Sequence, residues 1–246
     1  ALYFALSGAF FFLPFYLIQI RGLSPTETGL AFLPFMIFIG GLSRFMGGLV
    51  DTIGPRPMLS VGPMFVGLGY AGFAMSGDAG SYWTHVFPWF CFIGLGMSIC
   101  VSPVTATIVG SVSEANVGVA SGINNALSRV AALVAIVILG VVAVQIYDGA
   151  IEREIKTTEL SSTAQTLVAD ARTSFGAPNW AEAEALPAQE RETLEEAFGI
   201  AFLDAFSVVM WVAAACAGLS ALMGVALLGK ERKPMERSDT APDADD

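Results

Sequence analysis

Charge is scarce in this chain. Asp, Glu, Lys and Arg together make up 14% of its 246 residues, against about a quarter in a soluble domain. That shortage excludes an ordinary water-soluble surface. Histidine occurs once, as His85, and cysteine three times, as Cys91, Cys100 and Cys216. A membrane enzyme needs clustered ligands, or a nucleophile beside a base. One imidazole and no acid pair inside the apolar runs supply neither, so no catalytic residue, metal site or cofactor is expected. The cysteines lie in apolar runs and read as small hydrophobes, not as a disulfide framework. Basic residues are also few, 12 against 22 acidic ones, and no nucleic-acid partner is expected. No signal-peptide pattern precedes the first apolar run. Residue 1 is Ala, which suggests a fragment or a chain trimmed at its start.

What is abundant is hydrocarbon. Hydrophobic residues make up 54% and the mean hydropathy is +0.66, the composition of an integral membrane protein. A helical span needs about 20 mainly apolar residues. Six stretches qualify, near 2–20, 28–50, 57–76, 84–107, 117–146 and 200–229. Continuous apolar runs exclude the alternating pattern of a barrel, leaving helices as the only way to satisfy the backbone in lipid. The expected fold is an all-α bundle of six transmembrane helices.

The net charge of −10 is local. Between Tyr147 and Gly199 eleven acidic residues stand against four basic ones. The chain divides into five spans over 1–146, an acidic loop with short helices over 147–199, a last span over 200–230, and a polar, disordered tail over 231–246. Within the loop, 151–160 and 162–172 read as amphipathic helices, and a further helix starts near Pro187 and runs into the last span. The loop is expected to cap one mouth of the bundle; a partner-docking surface is the alternative. Arg44 and Arg56 flank the turn after the second span, and Lys230, Arg232, Lys233 and Arg237 follow the sixth. Positive residues mark the inner side, which places the C-terminus in the cytoplasm and 147–199 outside.

The densest signal is the turn Gly47-Gly48-Leu49-Val50-Asp51-Thr52-Ile53-Gly54-Pro55-Arg56-Pro57. Its glycines let helix ends approach and reverse. Its carboxylate and guanidinium can pair at the bilayer surface, a strong yet breakable contact suited to a gate. Ionisable residues inside a span are costly and are functional candidates by default. Arg129 is the clearest. With Ser121 and Asn125 it shares one face of the fifth span, spaced by four; Asn124 and Ser128 form an adjacent row. Gly118 and Gly122 are spaced for close helix contact. The polar stripe either lines a path or braces the bundle. Asp204, near the outer end of the sixth span, is a candidate protonatable group or an interfacial carboxylate. Arg44 snorkels or pairs with Asp51. His85 sits at an interface, where a proton-relay role is the weaker alternative.

The string Gly47-x-x-x-Asp51-x-x-Gly54-x-Arg56 resembles the signature joining the second and third helices in each half of major facilitator superfamily transporters. The block from Gly94 and Gly96 through Pro103, then Gly118 to Arg129, resembles the fourteen-helix drug:proton antiporters of that superfamily, as does a long outer loop before the last span. Thr52, Pro55 and Pro57 depart from the basic residues common there, leaving Arg56 alone.

The resemblance implies the C-terminal half of such a fold, in the cell membrane. An N-terminal half-bundle would be its partner, with small-molecule substrate and protons as the other partners and the bilayer as solvent. It implies alternating access, with drugs or other apolar compounds leaving as protons enter. Another cargo (lipid, sugar or metabolite) and a transporter-like receptor or scaffold are the alternatives.

Overall fold

The computed structural model describes residues 1–110, 112–156, 160–174, 183 and 186–227. The tail at 231–246, Lys230, and parts of the acidic loop lie outside the described residues. Among the described residues the chain is helical throughout its regular structure and contains six helices long and apolar enough to cross a membrane, as the six apolar runs require.

The first span is α1 (Leu2–Phe15), continued by a π-helical turn (Tyr16–Ile20). A short α2 (Pro25–Ala31) and α3 (Leu33–Ile53) make the second span. Ser24 starts α2 with a capping box: its hydroxyl accepts from the Glu27 N–H while Glu27 accepts from the Ser24 N–H, which satisfies two exposed donors reciprocally. The third span is α4 (Pro55–Ala74). After a single-turn α5 (Tyr82–His85), α6 (Phe87–Gly110) forms the fourth. The fifth lies in α7 (Val117–Ile155), and α8 (Ser162–Ser174) precedes the last, α9 (Ala188–Leu227).

One residue joins α3 to α4. Gly54 has φ 84°, a region closed to most side chains, and Pro55 opens the next helix, where no amide is needed. The reversal expected from the turn sequence is therefore as short as it can be.

Small residues set the packing. α4 crosses α6 so closely that a Cβ on Gly62 would lie 2.9 Å from the Gly96 carbonyl, and one on Gly72 would enter the Trp89 ring. α4 meets α9 in the same way, with Gly224 against the Leu59 carbonyl. In lipid, where apolar side chains gain little by leaving solvent, such close van der Waals contact is what holds helices together. Aromatic rings fill the centre: Phe10 against Phe32 and Phe35 joins the first two spans, and Phe73 against Phe90 joins the third and fourth.

α7 and α9 contain 39 and 40 residues. At 1.5 Å per residue each is about 60 Å long, roughly twice the hydrocarbon thickness of a bilayer. Their excess lengths run on together beyond the bundle at one end. Residues 151–155 are the top of α7 and not the start of a separate helix, because Tyr147, Ala150 and Ile151 are buried there and keep the helix wound. α8 forms where amphipathic periodicity placed a helix. It packs Ala164, Leu167, Val168 and Ala171 into one continuous core with Leu194 and Phe198 of α9. Arg172 of α8 clamps Asp148 and Glu152 of α7. Glu190 of α9 accepts from the Ser161 N–H at the start of α8, at 2.6 Å. The segment is a small three-helix cap; the end of the bundle bearing it is called the cap end below.

Candidate functional site

Two regions carry the sequence candidates. The first is the α3–α4 turn, at the end opposite the cap. Gly47 lies in ordinary contact with Ser102 of α6, and the Ser102 hydroxyl donates to the Ser43 carbonyl one turn earlier at 3.2 Å. This face of α3 is thus seated on the fourth span. Asp51 falls in the last turn of α3, and its side chain lies outside the described residues. Arg56 opens α4 and donates from Nη2 to the Val225 carbonyl of α9 at 2.8 Å. The turn is thereby tied to the last span, a contact that no local pattern announced. Arg44 is exposed on α3.

The second region is the first half of α7. Ser121, Asn124 and Ser128 are half-buried, while Asn125 and Arg129 are exposed. The Ser128 hydroxyl is spent on its own helix, donating to the Asn124 carbonyl at 2.8 Å. Gly118 and Gly122 have nothing within 4 Å of where a Cβ would stand. So the glycines spaced for close contact touch no helix among the described residues. Around them Val119, Ile123, Leu127 and Val130 are all more than half exposed.

The second span has the same character. Only 11% of its most apolar window is buried, and 22% of that of the fifth, against 33–50% in the other four. Gly40, Gly41 and Gly48 also face open space, and Met36, Ile37 and Phe45 are exposed. An uncovered row of small residues together with an uncovered polar stripe leaves interhelical groups unmatched within this bundle.

The remaining candidates sit at the cap end. Asp204 of α9 accepts from Arg153 of α7 at 2.9 Å, with both side chains about half exposed or more. It is a solvent-reached ion pair at the base of the cap. His85 shares a 2.7 Å hydrogen bond with the Thr84 hydroxyl, and its ring occupies the space that a Cβ on Gly80 would need. Cys91, Cys100 and Cys216 are free thiols. Among the described residues no group of three His, Cys, Asp or Glu converges as a metal site.

Sequence reasoning missed one constellation, at the same end. Tyr16 and Arg21, which close the first span, donate to the backbone of residues 77–80. The available signal was a lone arginine at a span end and two glycines in the facing loop.

A family model described as Major Facilitator Superfamily matches residues 1–136. The tetracenomycin C resistance and export protein of Streptomyces glaucescens is 27% identical over 241 residues, covering 96% of this chain and 43% of that protein. The multidrug resistance protein Stp of Mycobacterium tuberculosis is 30% identical over 138 residues, covering 56% and 25%. The lincomycin resistance protein of Streptomyces lincolnensis is 34% identical over 119 residues, covering 48% and 24%. The chain thus spans less than half the length of these relatives. With six apolar helices, the tight glycine turn and a matching family model over more than half its residues, the chain belongs to the major facilitator superfamily.

Proposed function

We propose that this chain is the C-terminal half of an exporter that carries apolar small molecules, antibiotics among them, out of the cell by alternating access. The observation that carries this reading is the uncovered side of the bundle. The second and fifth spans expose glycine rows and, from the polar stripe, Asn125 and Arg129, with Ser121 half-buried beside them. An N-terminal half-bundle packed on those faces completes the contacts, and the polar stripe then lines or braces a path near mid-membrane. The names of the relatives, export and resistance proteins, supply the direction and the class of cargo.

In this reading the α3–α4 turn faces the cytoplasm and the three-helix cap stands outside the cell membrane, with the C-terminus inside. Arg56, and with it Asp51, makes and breaks contacts as the halves rock. Inward proton flow drives the export, with Asp204 a weaker candidate for the protonatable group because of its pairing with Arg153. No bond in the cargo is broken, so the chain is no enzyme.

The test is efflux from cells. The full-length carrier, expressed in a strain stripped of its own pumps, is expected to lower accumulation of a hydrophobic fluorescent dye, and a protonophore should abolish the effect. Accumulation equal to the empty-vector control would overturn the exporter reading; efflux that survives collapse of the gradient would overturn proton coupling alone.

A further inference from the structure

The loop from Ser76 to Ser81 turns a run of carbonyls toward the end of the first span. Gly77 and Gly80 hold φ of 56° and 86°, a conformation that side chains oppose. Gly80 has a second constraint, since a Cβ there would lie 2.2 Å from the His85 ring. Four consecutive carbonyls are each taken by a side chain from the first span. The Tyr16 hydroxyl donates to Gly77 at 2.7 Å. Arg21 Nη1 donates to Asp78 and to Ala79 at 2.8 Å each, and Nη2 donates to Gly80. The acceptors are backbone atoms. Their geometry suits a planar fork with fixed donor directions, which an ammonium group does not provide.

The donors come from the one irregular stretch of the span. Tyr16–Ile20 is a π-helical turn, closed by the Arg21 N–H on the Tyr16 carbonyl, and such turns occur frequently at functional sites. Pro14 stands just before it and removes an amide from the helix ladder, which makes this the compliant point of the span. Beyond that point the chain is held twice. The Tyr16 ring stacks on Phe206 of α9, centroids 4.4 Å apart and 6° from parallel, and Arg21 grips the loop. Arg21, Asp78, Tyr82 and Val86 line a cleft of about 230 Å³ beside this grip.

We propose that Arg21 is a positioning residue of the transport cycle, latching the cap end of the first span to the α4–α5 loop so that spans one, three and four move there as one body. The latch rests on the exporter reading for its purpose but not for its existence. Its loss frees the end of the first span about Pro14 and uncouples it from the loop.

The test uses the full-length carrier with Arg21→Ala, Arg21→Lys and Gly80→Ala, the last disturbing the cradle with the Arg21 charge intact. Hydrogen exchange of the amides of residues 21, 23 and 76, which are bonded to the Tyr16, Leu17 and Phe73 carbonyls beside the latch, reads it in purified protein without transport. Exchange should rise about tenfold in Arg21→Ala and in Gly80→Ala. Maximal transport rate should fall about tenfold, with KM changed less than about twofold. Arg21→Lys should recover less than half of that rate, since an ammonium has one nitrogen where the guanidinium uses two, Nη1 on Asp78 and Ala79 and Nη2 on Gly80. Unchanged exchange would overturn the latch itself. Full rescue by lysine would overturn the fork geometry, and a rate loss matched by equal loss of folded protein would overturn the positioning role. Raised exchange in the variants, with a wild-type carrier that itself moves no substrate, would instead fault the exporter reading, and the transport role with it.

Discussion

Arg56 and Val225 meet across 169 positions of sequence, the guanidinium donating to the carbonyl at 2.8 Å. The carbonyl lies in the last described turn of α9 (Ala188–Leu227). A residue that local pattern assigned to a gate with Asp51 therefore also joins the third span to the sixth. The two roles are compatible if the guanidinium changes partner as the halves move.

Arg56→Ala should cost about 1 kcal/mol, the usual net worth of such a hydrogen bond, and should speed hydrogen exchange at 222–227. Arg56→Lys should keep part of the protection. Thermal unfolding and exchange in detergent measure both; an unaltered last turn would show that the tie contributes nothing.

The α4–α6 crossing leaves no room for a methyl group. A Cβ on Gly96 would stand 2.5 Å from the Gly62 carbonyl and 2.7 Å from the Val66 nitrogen. Gly96→Ala should destabilise by about 1–3 kcal/mol, the range for overpacking, and Gly96→Leu should prevent folding. A melting temperature within error of wild type for Gly96→Ala would contradict this close approach.

Gly118, Gly122 and Arg129 are predicted to behave in the opposite way. Among the described residues nothing lies within 4 Å of where a Cβ on Gly118 or Gly122 would stand, and Arg129 is exposed, so Gly122→Ala and Arg129→Ala should each shift stability of the 246-residue bundle by less than about 0.5 kcal/mol. In the full-length carrier both should lower efflux, with Arg129→Lys restoring part of the Arg129→Ala loss if charge alone is needed. Full efflux by Arg129→Ala would remove that residue from the path and from the interface.

The cap should loosen when its clamp is cut. Arg172 bridges Asp148 and Glu152, all partly exposed, so Arg172→Ala is expected to cost about 1 kcal/mol. Exchange should rise along α8 while α4 and α6 stay protected. Limited proteolysis near residue 160 checks it; equal cleavage rates in wild type and variant would mean that burial of Leu167 and Val168 suffices without the ion pairs.

Much of the fold was legible because lipid is a strict solvent. An unpaired backbone amide in hydrocarbon costs several kcal/mol, so each apolar run of about twenty residues had one outcome. Gly54 and Pro55 likewise announced the reversal between α3 and α4, since few residues tolerate that φ. The site was legible only in part. Arg129 and Asn125 stood out by polarity, yet polarity alone left a lined path and a braced bundle equally open. Arg21 carried only a faint signal, a lone charge at a span end with two glycines in the facing loop, because its partners are carbonyls, which every residue possesses.

The amino-acid order by itself determined how many spans form, where the second reverses into the third and which residues are too polar for lipid, because each of these is settled within a few residues by hydrogen bonding and hydropathy. Tertiary structure alone decided that Arg56 reaches Val225, that Arg21 grips residues 78–80, and that α7 continues unbroken past the bundle to hold α8 beside α9. It also decided that the second and fifth spans are left bare. Those outcomes depend on which distant segments arrive side by side, and close packing of small residues, not local preference, sets that arrangement.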